Sequence, residues 1–366
     1  MTTTGHELSL LGWRDSLAAD LPGGTVPARV ARVDRGAAEV IAADGHHTAP
    51  YSARLRRASA EDPVALPCVG DWAALTWLPE GRHELREVLP RRTALVRGGV
   101  SRDSRGGLSG DSQGQVLAAN IDVVFVAEPA VHGDDFAELG RIERLLALAW
   151  ESGARPVVVI TKADLMGEHL PGLLDDVAAA APGVDLHAVS ALDGDGVEDV
   201  RAHLAGAATA VILGPSGAGK STLVNALAGT DVMETQQVRA VDGRGRHTTV
   251  HRELVPLPGG GLIIDTPGIR RVGMYEMSQG VDMVFTDIED LADHCRFADC
   301  AHETEPGCAV LTAVEEGELP ERRLASWRKL QREAAWMARR GDARLRAEET
   351  RKWKIIHKSV RGRSRP

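Results

Sequence analysis

The chain has 366 residues, of which 43% are hydrophobic and 26% are charged, and its formal net charge at pH 7 is −9. This is the composition of a soluble globular protein with room for two or three domains. It excludes a membrane-spanning protein, because no apolar run reaches the ~18–20 residues of a membrane span, and the N-terminus lacks the basic-then-apolar layout of a signal peptide. We therefore expect a cytoplasmic protein with no membrane partner.

The first part of the chain predicts a tail followed by a small β-domain. In the tail, residues 1–24, the stretch LSLLGWRDSLAADL indicates a short helix. Residues 25–97 hold short β-like runs broken by turns, which is typical of a small barrel or sandwich. We expect an OB-like β-barrel, a fold that binds oligonucleotides, and a plain β packing module is the alternative. The predicted runs are VPARVARVD, AAEVIAA, YSARLRR, DWAALTWL and HELREVL.

Residues 98–118 are rich in Gly, Ser and charge, and this composition predicts a linker or loop. Apolar strands and amphipathic helices alternate in residues 119–278, which indicates a parallel sheet covered on both faces. The predicted strands are IDVVFVAE, RPVVVIT, VDLHAVS and TAVILG, followed by a hairpin of RELVPLP and GLIIDTPG.

A phosphate-binding loop lies between the predicted strand TAVILG and the predicted helix KSTLVNALAG. Its sequence GPSGAGKS fits the pattern G-x-x-x-x-G-K-[ST], in which backbone N–H groups and a helix N-terminus surround phosphates. Lys220 is expected to reach the β- and γ-phosphates, and Ser221 is expected to bind Mg²⁺. The nucleotide-binding residues predicted here are Gly214, Pro215, Ser216, Gly217, Ala218, Gly219, Lys220, Ser221 and Thr222.

The phosphate loop alone does not separate ATP from GTP. LSGDSQGQ at residues 108–115 resembles the LSGGQ signature of transporter-type ATPases. That interpretation fails because LSGDSQGQ precedes the phosphate loop, and because no apolar strand ending in Asp-Glu follows the loop.

Two later segments predict the switch regions of a GTPase. Asp265 ends the strand GLIIDTPG, where a carboxylate holds Mg²⁺ through water and the N–H of Gly268 meets the γ-phosphate. The polar segment GRGRHTTV carries Thr248 and Thr249, either of which can supply the Mg²⁺-binding hydroxyl, and Thr249 is preferred.

A base-reading loop is predicted upstream of the phosphate loop. Thr161, Lys162, Ala163 and Asp164 follow the strand RPVVVIT, and an Asp at this place accepts hydrogen bonds from guanine N1 and N2. After the next strand, a backbone N–H of Ser190-Ala191 is expected to meet guanine O6. Base loop, phosphate loop and switches thus occur in the usual GTPase order after rotation, which predicts a circularly permuted domain. Permutation is physically feasible because the termini of compact domains often lie close together.

The C-terminal segment, residues 279–366, predicts a metal-binding helical domain. Cys295, Cys300, His302 and Cys308 form a C-x4-C-x-H-x5-C pattern, which suits one structural Zn²⁺ with no open coordination position. Cys68 stands apart and is expected in the core. Residues 321–366 hold 16 Lys and Arg but five Asp and Glu, a net +11 that leaves about −20 on the rest. Such a basic helical tail is typical of nucleic-acid binding, and a solvated helix is the alternative.

Together these motifs resemble the ribosome small subunit-dependent GTPase A family, which consists of circularly permuted bacterial GTPases. The resemblance covers nearly the whole chain and rests on CVGDW, TKAD, VSA, GPSGAGKSTLVNAL, GRGRHTT, DTPGIR and CRFADCAHETEPGCAV. It implies hydrolysis of GTP to GDP and phosphate with Mg²⁺, stimulated by the small (30S) ribosomal subunit, in late maturation of that subunit. It also implies contacts of the barrel and the zinc domain with 16S rRNA, and we expect a monomer.

The resemblance also marks three positions that bear on mechanism. Ile269 stands where Ras-like GTPases have the Gln that orients water, so we expect slow intrinsic hydrolysis, and the family suggests His247 as the water-positioning residue. Thr161 stands where the family usually has an Asn that braces the base loop and contacts guanine N7. Weaker or altered affinity is expected there. The alternative function is a nucleotide-gated rRNA-binding scaffold in which hydrolysis is incidental.

Overall fold

The computed structural model describes residues 7–97, 101–102, 108–109, 115–130, 138–233, 252–265 and 278–341. Within these ranges, no helix has the length and apolar character needed to cross a membrane. The short helix expected in the N-terminal tail consists of two 3₁₀ turns, Leu8–Leu11 and Asp15–Asp20.

Five antiparallel strands build an OB-like barrel after the N-terminal turns. β1 pairs with both β2 and β4, and β5 pairs with β4. A bridge between Tyr51 and Leu85 brings β5 back to the end of β3, which closes the barrel. Its core is apolar, as the alternation in these strands predicts. The strands are β1 (Val26–Asp34), β2 (Ala37–Ala42), β3 (Gly45–Pro50), β4 (Trp72–Trp77) and β5 (His83–Val88).

The prediction of a strand over YSARLRR is wrong, because helix α1 (Ala53–Glu61) begins within this segment. Ser52 caps the helix, since its Oγ accepts a hydrogen bond from the N–H of Leu55 at 3.1 Å. Leu55 is buried while its neighbours Arg54 and Arg57 are exposed. A single buried apolar residue flanked by exposed arginines is compatible with a helix that packs one face on the barrel. A strand would instead show alternating apolar and polar residues.

The described part of residues 98–118 forms paired strands, which differs from the loop that its Gly and Ser content suggests. β6 (Ala94–Arg97) pairs antiparallel with β9 (Gln115–Ala119), and β7 (Ser101–Arg102) pairs with β8 (Leu108–Ser109). Val116 and Leu117 of β9 are buried. A strand forms here because pairing with β6 lets these apolar residues pack in a core. The domain limits proposed from the sequence stay predictions.

A mainly parallel sheet follows, in the spatial order β12-β11-β10-β13-β15-β14. The first five strands are parallel, and β14 forms the predicted hairpin with β15. β14 also pairs with β1 of the barrel, through Arg32 and Glu253, so the two sheets are continuous. The strands are β10 (Val123–Pro129), β11 (Arg155–Thr161), β12 (Asp185–Val189), β13 (Thr209–Leu213), β14 (Glu253–Pro256) and β15 (Leu262–Asp265).

Helices cover both faces of this sheet, which explains why its strands are apolar throughout. Val124 and Val126 of β10 face the same core cluster as helices α2 and α3, while Val123 and Phe125 face the cluster with α4 and α5. The helices are α2 (Leu139–Glu151), α3 (Leu170–Ala180), α4 (Val197–Ala202) and α5 (Lys220–Ala228).

A buried arginine joins the N-terminal turns, the barrel and the parallel sheet. Arg29 donates to the carbonyl oxygens of Leu11 at 3.0 Å and Asn120 at 3.2 Å, and to the hydroxyl of Thr209 at 3.1 Å. Its guanidinium lies over the ring of Trp72, 5.1 Å from the centroid. Burial lowers the pKa of Arg29 to about 10, so the group stays charged at neutral pH.

The C-terminal helices pack on α2. Gly280 of α6 approaches α2 so closely that a Cβ there would lie 2.1 Å from the carbonyl oxygen of Ala147. The N–H of Gly280 donates to Glu151 Oε2 at 2.9 Å. A side chain at residue 280 is therefore incompatible with this packing. The helices are α6 (Ser278–Val284), α7 (Thr286–Ala292), α8 (Ala309–Glu315) and α9 (Glu321–Gly341).

Arg323 of α9 holds these helices to the parallel sheet domain. It is 1% exposed and donates to Asp287 Oδ1 at 2.8 Å, to Glu143 Oε1 at 3.0 Å, and to the carbonyl oxygens of Ala180 and Val284. Glu143 lies on α2 and is fully buried. The cation at 323 thus neutralises a buried carboxylate of the neighbouring domain.

Arg323→Met is expected to lower the free energy of unfolding by about 3–5 kcal/mol, because it leaves the carboxylate of Glu143 buried without its main partner. Arg322→Met is the matched control: Arg322 also contacts Glu143 Oε1, at 3.1 Å, but its side chain is 40% exposed. We expect a loss of about 1 kcal/mol or less for the control. Urea unfolding followed by circular dichroism measures both, and equal losses would contradict the assignment.

Candidate nucleotide site and metal centre

The predicted nucleotide-binding residues that the structure describes lie at one edge of the parallel sheet. Because β10, β11, β12, β13 and β15 are parallel, their carboxyl ends meet at this edge. The segments carrying Thr161–Asp164, Ser190–Ala191, Gly214–Thr222 and Asp265 each follow or end one of these strands. In open α/β sheets, ligands bind outside the carboxyl ends of the strands.

The phosphate loop connects β13 to α5, and Lys220 is the first residue of that helix. Position 214 requires glycine because the phosphate loop passes close to the backbone of β10. A Cβ at this position would lie 2.1 Å from the carbonyl oxygen of Ala127. The ammonium of Lys220 donates to the carbonyl oxygens of Gly214 at 3.0 Å and Pro215 at 2.6 Å. Ser221 and Thr222 lie in the first turn of α5, where backbone N–H groups favour anions.

The base loop lies beside the phosphate loop. Lys162 adopts a left-handed backbone conformation with φ of 58°, after which Ala163–Leu165 forms a 3₁₀ turn. Lys162 and Asp164 are both exposed. A Cβ built on Gly219 would lie 4.0 Å from Lys162 Cε, so the end of the lysine side chain lies beside Gly219 of the phosphate loop. An exposed carboxylate and a lysine stem at this edge can contact a bound base.

Thr161 connects the two loops directly. It ends β11, is 3% exposed, and its hydroxyl donates to the carbonyl oxygen of Ala218 at 2.6 Å. Its own carbonyl oxygen accepts from the N–H of Ala130 at 2.7 Å. This hydrogen bond fixes the end of β11, where the base loop begins, to the phosphate loop, and the expectation of weaker or altered nucleotide affinity at Thr161 stays a prediction.

Ser190 and Ala191 follow β12 at the same edge. Ser190 is buried, its hydroxyl donates to Asp193 Oδ2 at 2.7 Å, and its N–H donates to the carbonyl oxygen of Asp195 at 3.1 Å. Since the N–H of Ser190 is used in this turn, the N–H of Ala191 is the better candidate for guanine O6. Ser190 then shapes the turn that presents Ala191.

Asp265 ends β15 and is half-buried at the same edge. The other predicted switch residues lie outside the described residues: His247, Thr248, Thr249, Gly268 and Ile269. Their roles stay predictions.

An ion pair at the end of β10 was not predicted from the sequence. Glu128 is 1% exposed and accepts from Arg141 Nε of α2 at 2.9 Å, with a second contact to Arg141 Nη2. Glu128 directly follows Ala127, whose carbonyl oxygen meets Gly214. The pair therefore fixes the strand end against which the phosphate loop packs. A carboxylate that ends an otherwise apolar strand is the sequence signal for it.

The four predicted metal ligands come together in the C-terminal domain. The ligand atoms of Cys295, Cys300, His302 and Cys308 all lie within 4.8 Å of one another. The Sγ atoms of Cys295 and Cys308 are 3.8 Å apart, and His302 Nδ1 lies 3.3 Å from Cys308 Sγ. A tetrahedral site with metal–sulfur bonds of about 2.3 Å has sulfur–sulfur edges of about 3.8 Å. The cluster therefore has the dimensions of a tetrahedral metal site.

His302 is held in a conformation that suits a ligand. It is 5% exposed with φ of 54°, unusual for a residue with a side chain. Burial lowers the pKa of His302, and the nearby Glu305 opposes part of this shift. The lowered pKa favours the neutral ring, which is the form that binds metals. Its carbonyl oxygen accepts from Arg328 and its ring lies edge-on to Trp327, both on α9. Helix α9 thus supports the cluster.

Cys68 is separate from this cluster. It is 6% exposed, and its Sγ contacts the carbonyl oxygen of Val116 at 3.3 Å. Burial raises the pKa of Cys68 to about 12, which keeps the thiol protonated and unsuited to metal binding.

Comparison with known proteins supports one family. A family model described as RsgA GTPase matches residues 88–275. "Small ribosomal subunit biogenesis GTPase RsgA" of Streptomyces coelicolor is 51% identical over 346 residues, 93% of this chain and 89% of that protein. The protein of the same name in Opitutus terrae is 41% identical over 98% of each chain.

Two solved structures share the fold. The crystal structure of YjeQ from Thermotoga maritima matches with a TM-score of 0.60 at 23% identity, over 85% of this chain and 99% of that chain. YloQ, described as a circularly permuted GTPase, matches with a TM-score of 0.59 at 23% identity, over 86% and 96% of the respective chains. The permuted order and the C-terminal position of the metal cluster were both predicted from the sequence.

Cys308→Ala is expected to abolish stoichiometric metal binding, because it removes one of four ligands from a closed site. Elemental analysis of the purified protein measures the metal and identifies it, with one ion per chain expected for the wild type. Cys68→Ala is the matched control and should retain the full metal content. Metal loss in the control, or a full content in Cys308→Ala, would show that other residues hold the ion.

Proposed function

Because the chain belongs to the RsgA GTPase family and is therefore a GTP hydrolase, we propose that it acts in late maturation of the small ribosomal subunit and that the 30S subunit stimulates its hydrolysis of GTP. Relatives 51% and 41% identical carry the name of a small ribosomal subunit biogenesis GTPase. The observation that carries the proposal is the convergence of the base loop and the phosphate loop at one sheet edge. Work on the ribosome also implies a cytoplasmic location.

In this proposal the phosphate loop holds the triphosphate of GTP. Backbone N–H groups of residues 216–222 surround the phosphates, and Lys220 turns from its carbonyl partners toward the β- and γ-phosphates. Ser221, Asp265 and Thr249 are the proposed Mg²⁺ ligands. The hydroxyl and carboxylate oxygens fit this ion, which neutralises charge on the phosphates when bound. Gly268 is proposed to donate its N–H to the γ-phosphate.

Guanine selection is proposed to depend on Asp164. Its exposed carboxylate at the sheet edge can accept from N1 and N2 of guanine, whereas adenine offers no matching pair of donors. The end of the Lys162 side chain lies beside Gly219 of the phosphate loop, and this lysine is proposed to pack on the face of the base. The N–H of Ala191 is proposed to donate to O6.

Fast hydrolysis is proposed to require the 30S subunit. Ile269 has no hydrogen-bonding group with which to orient water, so the chain lacks the Gln used by Ras-like GTPases. His247 is the proposed residue that positions the attacking water. If this geometry forms only on the 30S subunit, turnover is slow in solution and fast on the subunit.

The remaining domains are proposed to bind 16S rRNA. Three thiolates and one imidazole without a carboxylate suit Zn²⁺, so the cluster is proposed as a structural zinc site. It orders the loop next to α9, which begins the basic segment of net charge +11. This charge and the OB-like barrel are the proposed contacts with the phosphate backbone of rRNA.

The rate of GTP hydrolysis is expected to rise at least tenfold when purified 30S subunits are added, because the subunit completes the catalytic geometry. Phosphate release in single-turnover assays measures the rate. Lys220→Ala should abolish hydrolysis with and without 30S. An unchanged wild-type rate on 30S would contradict the proposal, and nucleotide-independent 30S binding by Lys220→Ala would favour the scaffold alternative.

Asp164→Asn is expected to shift preference from guanine to xanthine nucleotides, because the amide can donate to the O2 of xanthine where the carboxylate accepted from N2 of guanine. Competition of GDP and XDP for the binding site measures the change. A variant that still prefers GDP by the wild-type factor would show that another residue reads the base.

A further inference from the structure

Two histidines connect the terminal strand of the parallel sheet to the helix that follows it. His187 lies on β12, the first strand in the sheet order, and His203 directly follows α4. We infer that these two rings form an acid-sensitive contact, which exists only while both are neutral, so that protonation at mildly acid pH separates the end of α4 from β12 and loosens this side of the sheet. Neither ring takes part in the proposed function.

The hydrogen bonds of His203 determine where the protons of the pair lie. Arg155 Nη2, at the start of β11, lies 2.9 Å from His203 Nδ1. A guanidinium only donates, so His203 Nδ1 accepts and carries no proton. The neutral ring then has its proton on Nε2, which lies 2.8 Å from His187 Nε2. His187 Nε2 is therefore the acceptor, and the neutral His187 ring carries its proton on Nδ1.

An added proton on either ring breaks one of these hydrogen bonds. On His203 the proton would occupy Nδ1 and face the N–H of Arg155. On His187 it would occupy Nε2 and face the N–H of His203. His203 cannot accept in that case by moving its own proton to Nδ1, because Arg155 donates there. The arginine thus prevents the two rings from sharing an added proton.

The charges around the pair also disfavour protonation of His203. Burial lowers the pKa of His203, and the charge of Arg155 and that of a protonated His187 lower it further, while Asp185 of β12 opposes part of this shift. Arg155 and Asp185 lie 3.4 Å apart, and their side chains are 51% and 53% exposed. Water therefore screens both charges, and the hydrogen-bond conflict is the main obstacle to protonation.

The other groups packed near His203 offer no compensation for a charged ring. The ring of Phe125 in β10 lies 6.3 Å from that of His203, centroid to centroid, and is apolar. On α4, Arg201 pairs with Glu198 at 2.9 Å and donates to α5. Asp199 is exposed one helical turn before His203, where water screens its carboxylate.

The direction of the pH dependence follows from the lowered pKa of His203. Its ordinary value is 6.5, and the folded protein holds a proton there less readily than the unfolded chain does. The stability that the contact contributes is therefore complete above about pH 6.5 and is lost as the pH falls below this value. Opening should be local, because β12 pairs on one side with β11 and is followed by α4.

Hydrogen–deuterium exchange of the full-length protein at about pH 7.5 and about pH 5.5, above and below the ordinary pKa of histidine, tests the inference. At each pH the exchange rate of the wild type in peptides covering residues 185–204 is divided by that of His203→Gln, so that the intrinsic effect of pH and any acid-induced loss of metal cancel. The Gln amide stays neutral and can accept from Arg155 and donate to His187. The ratio is expected to be about 1 at the higher pH and about threefold or more at the lower pH.

Two further variants show whether the contact has the proposed chemistry. Arg155→Gln replaces the obligatory donor by an amide that can also accept, so His203 Nδ1 can take a proton without losing its partner. We expect its acid response to fall to about half that of the wild type or less. His46→Gln removes an exposed histidine of the barrel and is the matched control, which should exchange like the wild type at both pH values.

A ratio near 1 at both pH values would overturn the inference, and so would a full acid response in Arg155→Gln. Calorimetry with GDP separates this result from the proposed nucleotide site. Because β12 ends next to Ser190 and Ala191, the wild type should also lose GDP affinity in acid relative to His203→Gln if that site is correct. An exchange response without this loss would support the contact and count against the proposed place of Ser190 and Ala191 in the site.

Discussion

The nucleotide site depends on the parallel pairing of β13 between β10 and β15. This pairing places the phosphate loop next to β10, where Gly214 meets the carbonyl oxygen of Ala127 with no room for a side chain. It also brings the base loop within hydrogen-bonding reach, as the contact of Thr161 with Ala218 shows. The site needs strands that end at one edge, and it does not need them in a particular chain order. Permutation is compatible with function for this reason.

Attachment of the C-terminal helices to α2 is the second determinant. Glu143, Ala147 and Glu151 all lie on α2 and contact α9 or α6. Helix α9 contacts the sheet domain through Arg323 and the metal cluster through Arg328. The metal cluster is therefore connected through α9 to the same body that holds α6 on α2.

Much of the fold and site could be predicted because local patterns were strong. Continuous apolar strands, the GPSGAGKS loop and the cysteine spacing each carry their own physical signal. The helix at Ala53 was missed because its single buried apolar residue gives almost no periodicity. The contacts of Arg323 and Thr161 join residues far apart in sequence, 180 positions for Arg323 and Glu143, and no local pattern encodes them. For Thr161, the sequence predicts weaker or altered nucleotide affinity, whereas the hydrogen bond from its hydroxyl to the carbonyl oxygen of Ala218 is visible only in three dimensions.

Permutation also sets the order in which the site is made during translation. β10, β11 and β12 are adjacent in both sequence and sheet, so they can pair early on the nascent chain. β13 pairs with the other side of β10, with Val123 opposite Ala210, and is synthesised later. Until residue 213 emerges, β10 presents an unpaired edge of apolar strand, which favours association between chains. Nucleotide cannot protect this intermediate, because the phosphate loop has not yet been synthesised. In the permuted order, the edge of β10 is therefore covered only after β13 has been synthesised.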